Sequence, residues 1–153
     1  MAAKPGKREQ GQMIIGIGVD LVKIERVRKL LDNYTEFITQ VFTAGEIEFC
    51  RAKADSASSF AARFAAKEAM MKALGTGWNE KVNWLDIEVI NERQGKPILK
   101  IGGKTLQLMQ QMGVRQTHLS LSHERDYALA FVVLEGEKLD NRDNDLQWHQ
   151  IRW

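Results

Sequence analysis

The carboxylate of Asp20 ends a glycine-rich stretch, GIGVD at residues 16–20. The apolar, β-branched pattern predicts a strand over residues 13–21. Side chains alternate across a strand, so both glycines and Asp20 share one face of it. Glycines leave backbone that a ligand can approach closely, and a carboxylate beside that surface can hold a hard cation. This segment alone leaves two alternatives open: the glycines can accommodate a packed neighbour, and Asp20 can cap the next helix.

A second segment, residues 63–75, combines a carboxylate and an ammonium group on one predicted helix. Lys72 follows Glu68 by four positions, which places both side chains on one side of the helix. Glu68 also follows Phe64 by four positions, so it lies at the edge of the apolar stripe, where partial burial is expected. Mg²⁺ usually takes one or two protein carboxylates and completes its shell with water and phosphate oxygens. The pattern fits a metal carboxylate beside a phosphate-binding lysine, or a simple ion pair on the helix surface.

A third segment, residues 120–128, is a polar turn between two apolar strands. Ser122 and His123 can hydrogen-bond a phosphate, and the imidazole can also move protons. A lone histidine in a turn is more often an ordinary surface residue. The segment is therefore informative only together with the other two.

The predicted elements that position these groups form one α+β domain, a mostly antiparallel sheet packed against helices. Thr43 and Glu46 have the spacing of a capping box, which predicts that a short helix begins there. The serine cluster at 56–59 predicts the start of a longer helix, and Gly75 predicts its end. The complete order is a strand at 13–21, helices at 23–31, 43–50 and 56–75, a hairpin from 85–90 to 98–101, a helix at 104–112, and strands at 117–122 and 127–134.

The composition argues against several classes of protein. The 153 residues are 44% hydrophobic and 27% charged, as in globular proteins, and the net charge of +2 is too small for general nucleic-acid binding. No apolar run approaches the ~20 residues that a membrane span needs. The only cysteine, Cys50, excludes an intramolecular disulfide, and we interpret it as a small buried residue. We expect a cytoplasmic protein that binds neither nucleic acid nor membrane.

The two ends of the chain differ in character from its body. Residues 1–12 are polar and have no apolar core of a signal peptide, so we expect a disordered leader. Residues 135–153 are expected to form a polar tail. The folded domain is predicted to occupy residues 13–134.

Together, the three segments resemble the signature blocks of the bacterial holo-acyl-carrier-protein synthase family, in that family's order and at about its spacing. The matching residues are GIGVD at 16–20, RFAAKEA at 63–69 with Lys72, and SH at 122–123 followed by YA at 127–128. The resemblance implies a 4'-phosphopantetheinyl transferase-like fold. It also implies transfer of the phosphopantetheine arm of coenzyme A to a serine of apo acyl carrier protein, in fatty acid biosynthesis.

The resemblance implies roles in the reaction for three residues. By match to the motifs, Asp20 and Glu68 correspond to ligands of Mg²⁺, and Lys72 corresponds to the lysine at the reacting phosphates. Catalysis of this kind depends mainly on positioning and on neutralising charge at the pyrophosphate. Glu68, directly or through a water on the metal, is our candidate for the base that accepts the serine proton.

The resemblance also implies a substrate site and an assembly. Arg63 and His123 fall at positions similar to contacts of the coenzyme A phosphates, and we place Lys72 and Ser122 in the same site. The family implies a homotrimer whose active sites lie between subunits. Three subunits would cover apolar surface that one small sheet leaves exposed.

Basic residues of the first predicted helix form a candidate docking surface. Residues 23–29 contain four basic side chains and one acidic side chain. When the apolar positions of this helix face inward, Arg26, Arg28 and Lys29 stay exposed. Local sequence favours an ordinary solvated face, but in the context of the resemblance we expect a surface that steers an acidic acyl carrier protein.

Two other functions could use the same residues. A Mg²⁺-dependent nucleotide pyrophosphatase would use water as the acceptor and would need further acidic ligands, yet no second acidic cluster accompanies Glu68. A non-catalytic module that binds carrier protein or nucleotide predicts loss of Lys72 or of one metal carboxylate, whereas all three are present.

Overall fold

The computed structural model describes residues 11–77 and 79–137, and in it helices pack against antiparallel sheets, which confirms the predicted α+β class. Within these ranges no helix combines the length and the apolar character needed to cross a bilayer. The elements in chain order are β1 (Met13–Lys23), α1 (Ile24–Asn33), α2 (Thr35–Val41), α3 (Ala44–Arg51), α4 (Ser56–Ala73), a 3₁₀ turn (Trp84–Asp86), β2 (Ile87–Asn91), β3 (Pro97–Ile101), α5 (Gly103–Gln111), β4 (Val114–His123) and β5 (Tyr127–Gly136).

The strands form a three-stranded sheet in the order β1-β5-β4 and a separate hairpin of β2 and β3. All of these pairs are antiparallel, and β5 lies in the centre of the larger sheet. Because side chains alternate along each strand, one face of this sheet is packed on helix α4 and the other is open. The packed face includes Ala128, Ala130, Val132 and Leu134 of β5, all at 0% exposure.

The open face of the three-stranded sheet is strongly apolar. Its large side chains come from β1 and β5, which pair with each other along their whole length. They are 37–62% exposed, although residues of these types are normally buried. The residues are Ile17, Val19, Leu21, Tyr127, Leu129 and Phe131.

Helix α4 is the central element, because β1 and β5 pack on one side of it while α1, α3 and β2 pack on the others. Small alanines let these neighbours approach, and Phe60, Met70 and Met71 fill the remaining space at 0–2% exposure. The predicted ends of this helix are nearly correct. Its N-cap is Asp55 rather than one of the serines, and Gly75 has the positive φ of 73° that follows many helices.

The two glycines of β1 serve the contact with α4. A Cβ at Gly18 would lie 1.8 Å from the carbonyl oxygen of Ala69, and a Cβ at Gly16 would lie 2.0 Å from that of Ala73. The backbone at these glycines, which we expected a ligand to approach, is therefore covered by helix α4. Of the two alternatives for these glycines, the structure supports accommodation of a packed neighbour.

Two details of the predicted organisation change. Strand β5 continues to Gly136, so two residues assigned to the tail belong to the sheet; Glu135 pairs with Ile14. Helix α2 was not predicted, because it has only seven residues and no side-chain cap. Residues 11 and 12 of the expected leader are exposed and precede β1. The rest of the leader, 1–10, and the rest of the tail, 138–153, lie outside the described residues.

Candidate active site

The side chains of Asp20 and Lys72 meet where β1 crosses helix α4. Lys72 Nζ lies 2.9 Å from Asp20 Oδ1 and donates a second hydrogen bond to the carbonyl oxygen of Val19 at 3.1 Å. The Asp20 side chain is 14% exposed and that of Lys72 is 45% exposed, so the ion pair opens to solvent on the ammonium side. Lys72 of α4 therefore pairs with a residue of β1 rather than with Glu68 on its own helix.

Glu68 is half-buried next to this ion pair. Burial raises the pKa of its carboxyl group, and the negative charge of Asp20 raises it further, while Lys72 and Arg26 act in the opposite direction. A carboxylate that is both desolvated and repelled by a like charge gains most from a nearby cation or proton. The position thus suits a metal ligand or a proton acceptor.

The donor set of this cluster fits Mg²⁺. Asp20 and Glu68 are the two carboxylates, and within residues 11–77 and 79–137 no three His, Cys, Asp or Glu side chains come together as a metal site. Mg²⁺ is commonly held by one or two carboxylates together with water and substrate phosphates. The chain thus presents a partial shell of the kind that a phosphate substrate completes.

Arg63 lies apart from the cluster. It precedes Glu68 by five residues, which is about 140° around the helix axis and about 7.5 Å along it. The side chain is 4% exposed and turns toward α3 and β2, where Nη2 donates to Asn91 Oδ1 at 2.9 Å and the guanidinium lies 4.0 Å from the centre of the Phe49 ring. Burial lowers its pKa from the ordinary value. The Nε atom has no hydrogen-bond partner among the described residues.

A cavity of about 190 Å³ opens beside Arg63, between α3 and β2. Lys53, which the sequence analysis missed, lies 4.5 Å from the centre of the Phe49 ring. The Phe49 ring therefore contacts two cations, those of Arg63 and Lys53. The spacing of four residues between Phe49 and Lys53 was the only local signal, and it is common on helices.

Ser122 and His123 lie at the end of β4, and both are exposed. Strands β1 and β4 are the two edges of the sheet with β5 between them. Since neighbouring strands are about 4.8 Å apart, the backbones of these edges are about 10 Å apart. Among the described residues no hydrogen bond or ion pair joins this pair to Asp20 or Lys72, so one chain does not bring the two groups together.

The three basic residues of α1 are exposed, as predicted, but they do not act as one group. Arg26 and Lys29 line a groove of about 330 Å³ with the exposed Tyr34. Arg28 instead pairs with Glu25, its Nε 3.3 Å from Oε2. Glu25 lines the same groove, which thus carries the three cations of Lys23, Arg26 and Lys29 and one carboxylate.

Cys50 is confirmed as a buried residue, at 0% exposure. Burial raises the pKa of its thiol from 9.0 to about 11, although the nearby Arg63 charge acts in the opposite direction. A thiol with this pKa is a poor nucleophile at neutral pH. It takes no part in the candidate site.

Comparison with known proteins identifies the family. The family model of the 4'-phosphopantetheinyl transferase superfamily matches residues 16–132. The holo-[acyl-carrier-protein] synthase of Trichlorobacter lovleyi is 47% identical over 125 residues, which are 81% of this chain and 99% of the relative. The enzyme of the same name from Geobacter metallireducens is 46% identical, with 80% and 98% covered. The chain belongs to the 4'-phosphopantetheinyl transferase superfamily.

Solved structures agree with this assignment. A holo-(acyl-carrier-protein) synthase from Bacillus anthracis, in complex with CoA (3',5'-ADP), is 38% identical with a TM-score of 0.69, over 82% of this chain and 99% of the other. The synthase from Neisseria meningitidis is 34% identical with a TM-score of 0.73, over 80% and 98%. The family, fold and enzyme class predicted from the sequence are confirmed.

Proposed function

We propose that this protein transfers the 4'-phosphopantetheine group of coenzyme A to a serine of apo acyl carrier protein in a Mg²⁺-dependent reaction. The observation that carries the proposal is the cluster at the crossing of β1 and α4. There the half-buried Glu68 adjoins the Asp20–Lys72 ion pair, in a chain that belongs to the transferase superfamily. The cluster combines two carboxylates for a metal with one ammonium group for phosphate.

The residues of the cluster divide the work of the reaction. The serine oxygen of the carrier attacks the phosphorus that bears the pantetheine arm, a new P–O bond forms, and the bond to the leaving 3',5'-ADP breaks. Glu68, directly or through a bound water, accepts the serine proton. Lys72, whose ammonium faces solvent, turns to a phosphate oxygen and neutralises charge on the leaving group. When held by Asp20 and Glu68, Mg²⁺ supplies further charge neutralisation at the pyrophosphate.

Arg63 and its surroundings support a contact with another phosphate of coenzyme A. Among the described residues its buried Nε has no hydrogen-bond partner, and a second cation, Lys53, lies against the same Phe49 ring. A buried donor without a partner is costly, and a charge-assisted hydrogen bond to phosphate would satisfy it. Ser122 and His123 belong to the same proposed substrate site, supplied from another subunit.

The homotrimer is part of this proposal, and two features of the sheet support it. Within residues 11–77 and 79–137 the open face exposes six large apolar side chains, which association of subunits would cover. Ser122 lies on this face, because it pairs with Leu129 across β4 and β5. The separation of Ser122 and His123 from Asp20 in one chain is resolved when neighbouring subunits supply the two halves of the site.

The carrier protein docks on the groove side of α1 in this proposal. Arg26 and Lys29 present positive charge there, and Arg26 is close enough to Glu68 to influence its pKa. An acidic partner held on this surface would bring its serine near the catalytic carboxylate. We place the reaction in the cytoplasm, where holo carrier protein serves fatty acid biosynthesis.

Mass spectrometry of the carrier tests the proposed function directly. The protein is incubated with coenzyme A, Mg²⁺ and apo acyl carrier protein, and the carrier is then weighed. Transfer adds one phosphopantetheine group to the carrier, and a variant carrier with Ala at the acceptor serine gains nothing. A pyrophosphatase would cleave coenzyme A and leave the carrier unchanged, and a binding module would leave both unchanged. Either of those results would overturn the proposal.

A further inference from the structure

Next to Glu68 on helix α4, Lys67 forms an ion pair inside the protein that the proposed reaction does not use. Its Nζ lies 2.8 Å from Glu46 Oε2, and both side chains are 0% exposed. Lys67 also donates to the carbonyl oxygens of Trp84, at 3.0 Å, and Ile87. Burial lowers the pKa of the ammonium, and the Glu46 carboxylate counteracts this.

The hydrogen bonds of this pair are complete and directional. An ammonium group has three donors, and those of Lys67 have one acceptor each on α3, on the 3₁₀ turn and on β2. On the other side, Glu46 accepts from the backbone amides of Thr43 at 2.9 Å and Val89 at 2.8 Å. One side chain of α4 is thereby fixed in three directions by three separate elements.

The position of Lys67 sets that of the proposed catalytic groups. Glu68 is offset from Lys67 by about 100° around the helix and about 1.5 Å along it. A small rotation of α4 that broke the three hydrogen bonds would also turn Glu68 and Lys72 relative to Asp20 on β1. On the β1 side the helix rests on two glycines, and its hydrogen bonds to the strand come from Lys72, whose side chain is 45% exposed and which must leave Asp20 in the proposed reaction.

We propose that the Lys67–Glu46 pair is a positioning device that sets the rotation of α4, and with it the placement of Glu68 and Lys72 against Asp20. The proposal rests on the proposed function for the meaning of those groups. Buried ion pairs often contribute little to stability, since apolar residues of similar size can replace them without loss. Supporting residues behind a metal site commonly change its affinity by 10- to 100-fold. The pair thus acts on the site as well as on the fold, whose backbone groups it satisfies.

The test separates positioning from stability by using two variants and one control. Lys67→Met leaves Glu46 buried without its partner, whereas the double variant Glu46→Leu/Lys67→Met removes both charges. Met109→Ala truncates a core side chain that is 6% exposed and lies on α5, a helix that packs on β4 and the 3₁₀ turn. The affinity for Mg²⁺ alone is measured by NMR titration of the Gly18 and Asp20 amides, and urea unfolding measures stability.

We expect the double variant to lose stability, because the amides of Thr43 and Val89 and the carbonyls of Trp84 and Ile87 lose their partners, and to bind Mg²⁺ about tenfold more weakly. Met109→Ala should lose stability and keep its Mg²⁺ affinity. Wild-type affinity in the double variant, or in a folded Lys67→Met variant, would overturn the positioning role. The titration needs no substrate, so its outcome is independent of the mass measurement on the carrier. If the wild type transfers normally and the double variant keeps the wild-type affinity for Mg²⁺, only the positioning role is refuted. If the wild type transfers nothing, only the proposed function is refuted.

Discussion

Lys72 Nζ lies 2.9 Å from Asp20 Oδ1, although 52 residues separate the two in the chain. The ammonium group thereby neutralises a carboxylate that stands beside the half-buried Glu68. In the proposed reaction the same ammonium must release Asp20 to the metal and turn to the phosphates of coenzyme A. Lys72 therefore has two partners, one without substrate and one with it.

Replacing Lys72 with Met should reduce kcat by at least about 100-fold, since its charge acts on the phosphate bond as it breaks. The KM for carrier protein should change little, because Lys72 is not on the docking groove. The same change should raise the pKa of Glu68 further, because Lys72 lowers it in the wild type. Steady-state kinetics and carboxyl-carbon NMR measure the two effects. An unchanged kcat would contradict the assigned role.

Glu68→Gln should stabilise the metal-free protein at neutral pH while it abolishes transfer. Burial raises the pKa of Glu68 above its ordinary value of 4.5. Its contribution to stability is therefore fully present below pH 4.5 and is lost as the pH rises through the folded-state pKa. The glutamine side chain has no proton to lose and stays uncharged, so the stability advantage of the variant should grow above pH 4.5 and vanish below it. Urea unfolding with a chelator, at several pH values, would show no such trend if Glu68 were well solvated.

Gly18→Ala should destabilise the fold by about 1–3 kcal/mol, the usual cost of overpacking. The added Cβ would lie 1.8 Å from the Ala69 carbonyl oxygen, so that α4 must move away from β1. Gly77→Ala is the matched control, because its Cβ would meet nothing within 4 Å. Denaturant unfolding gives the comparison, and equal stabilities of the two variants would refute the close-packing role.

Reversing charge on the docking groove should affect the carrier but not coenzyme A. Arg26→Glu is expected to raise the KM for carrier protein about tenfold and to weaken the salt dependence of kcat/KM. Arg28→Glu should have a smaller effect, because Arg28 already pairs with Glu25. Lys100→Glu on strand β3 is a control of the same charge change. If Arg26→Glu behaves like Lys100→Glu at two salt concentrations, α1 is only a solvated helix.

Phe131→Asp should convert the proposed trimer to monomers and remove activity, because it places a charge on the open face of the sheet. The control Leu106→Asp changes an apolar side chain of α5 that is 37% exposed. Light scattering and the transfer assay are run at the same protein concentration. A monomeric Phe131→Asp variant with full activity would show that each subunit holds a complete site.

The sequence by itself determined most of the local structure, the family and the candidates for the reacting groups. The Thr43 and Glu46 capping box is present, because cap hydrogen bonds join residues only three apart. The strands and the long helix followed from the spacing of their apolar residues, because that spacing reflects which faces of each element are buried. The segments around Asp20, Glu68 and Lys72 were recognisable as a family pattern, because their residue types and spacing are specific.

Only the tertiary structure decided how these residues combine. Lys72 pairs with Asp20 instead of Glu68, and Glu46 is the partner of Lys67 as well as a helix cap. The packing of α4 between β1, α3 and β2 makes these contacts, which join residues 21 to 52 positions apart. Local patterns carry no information on such contacts, because a side chain's partner in the interior depends on which elements meet there and at what rotation.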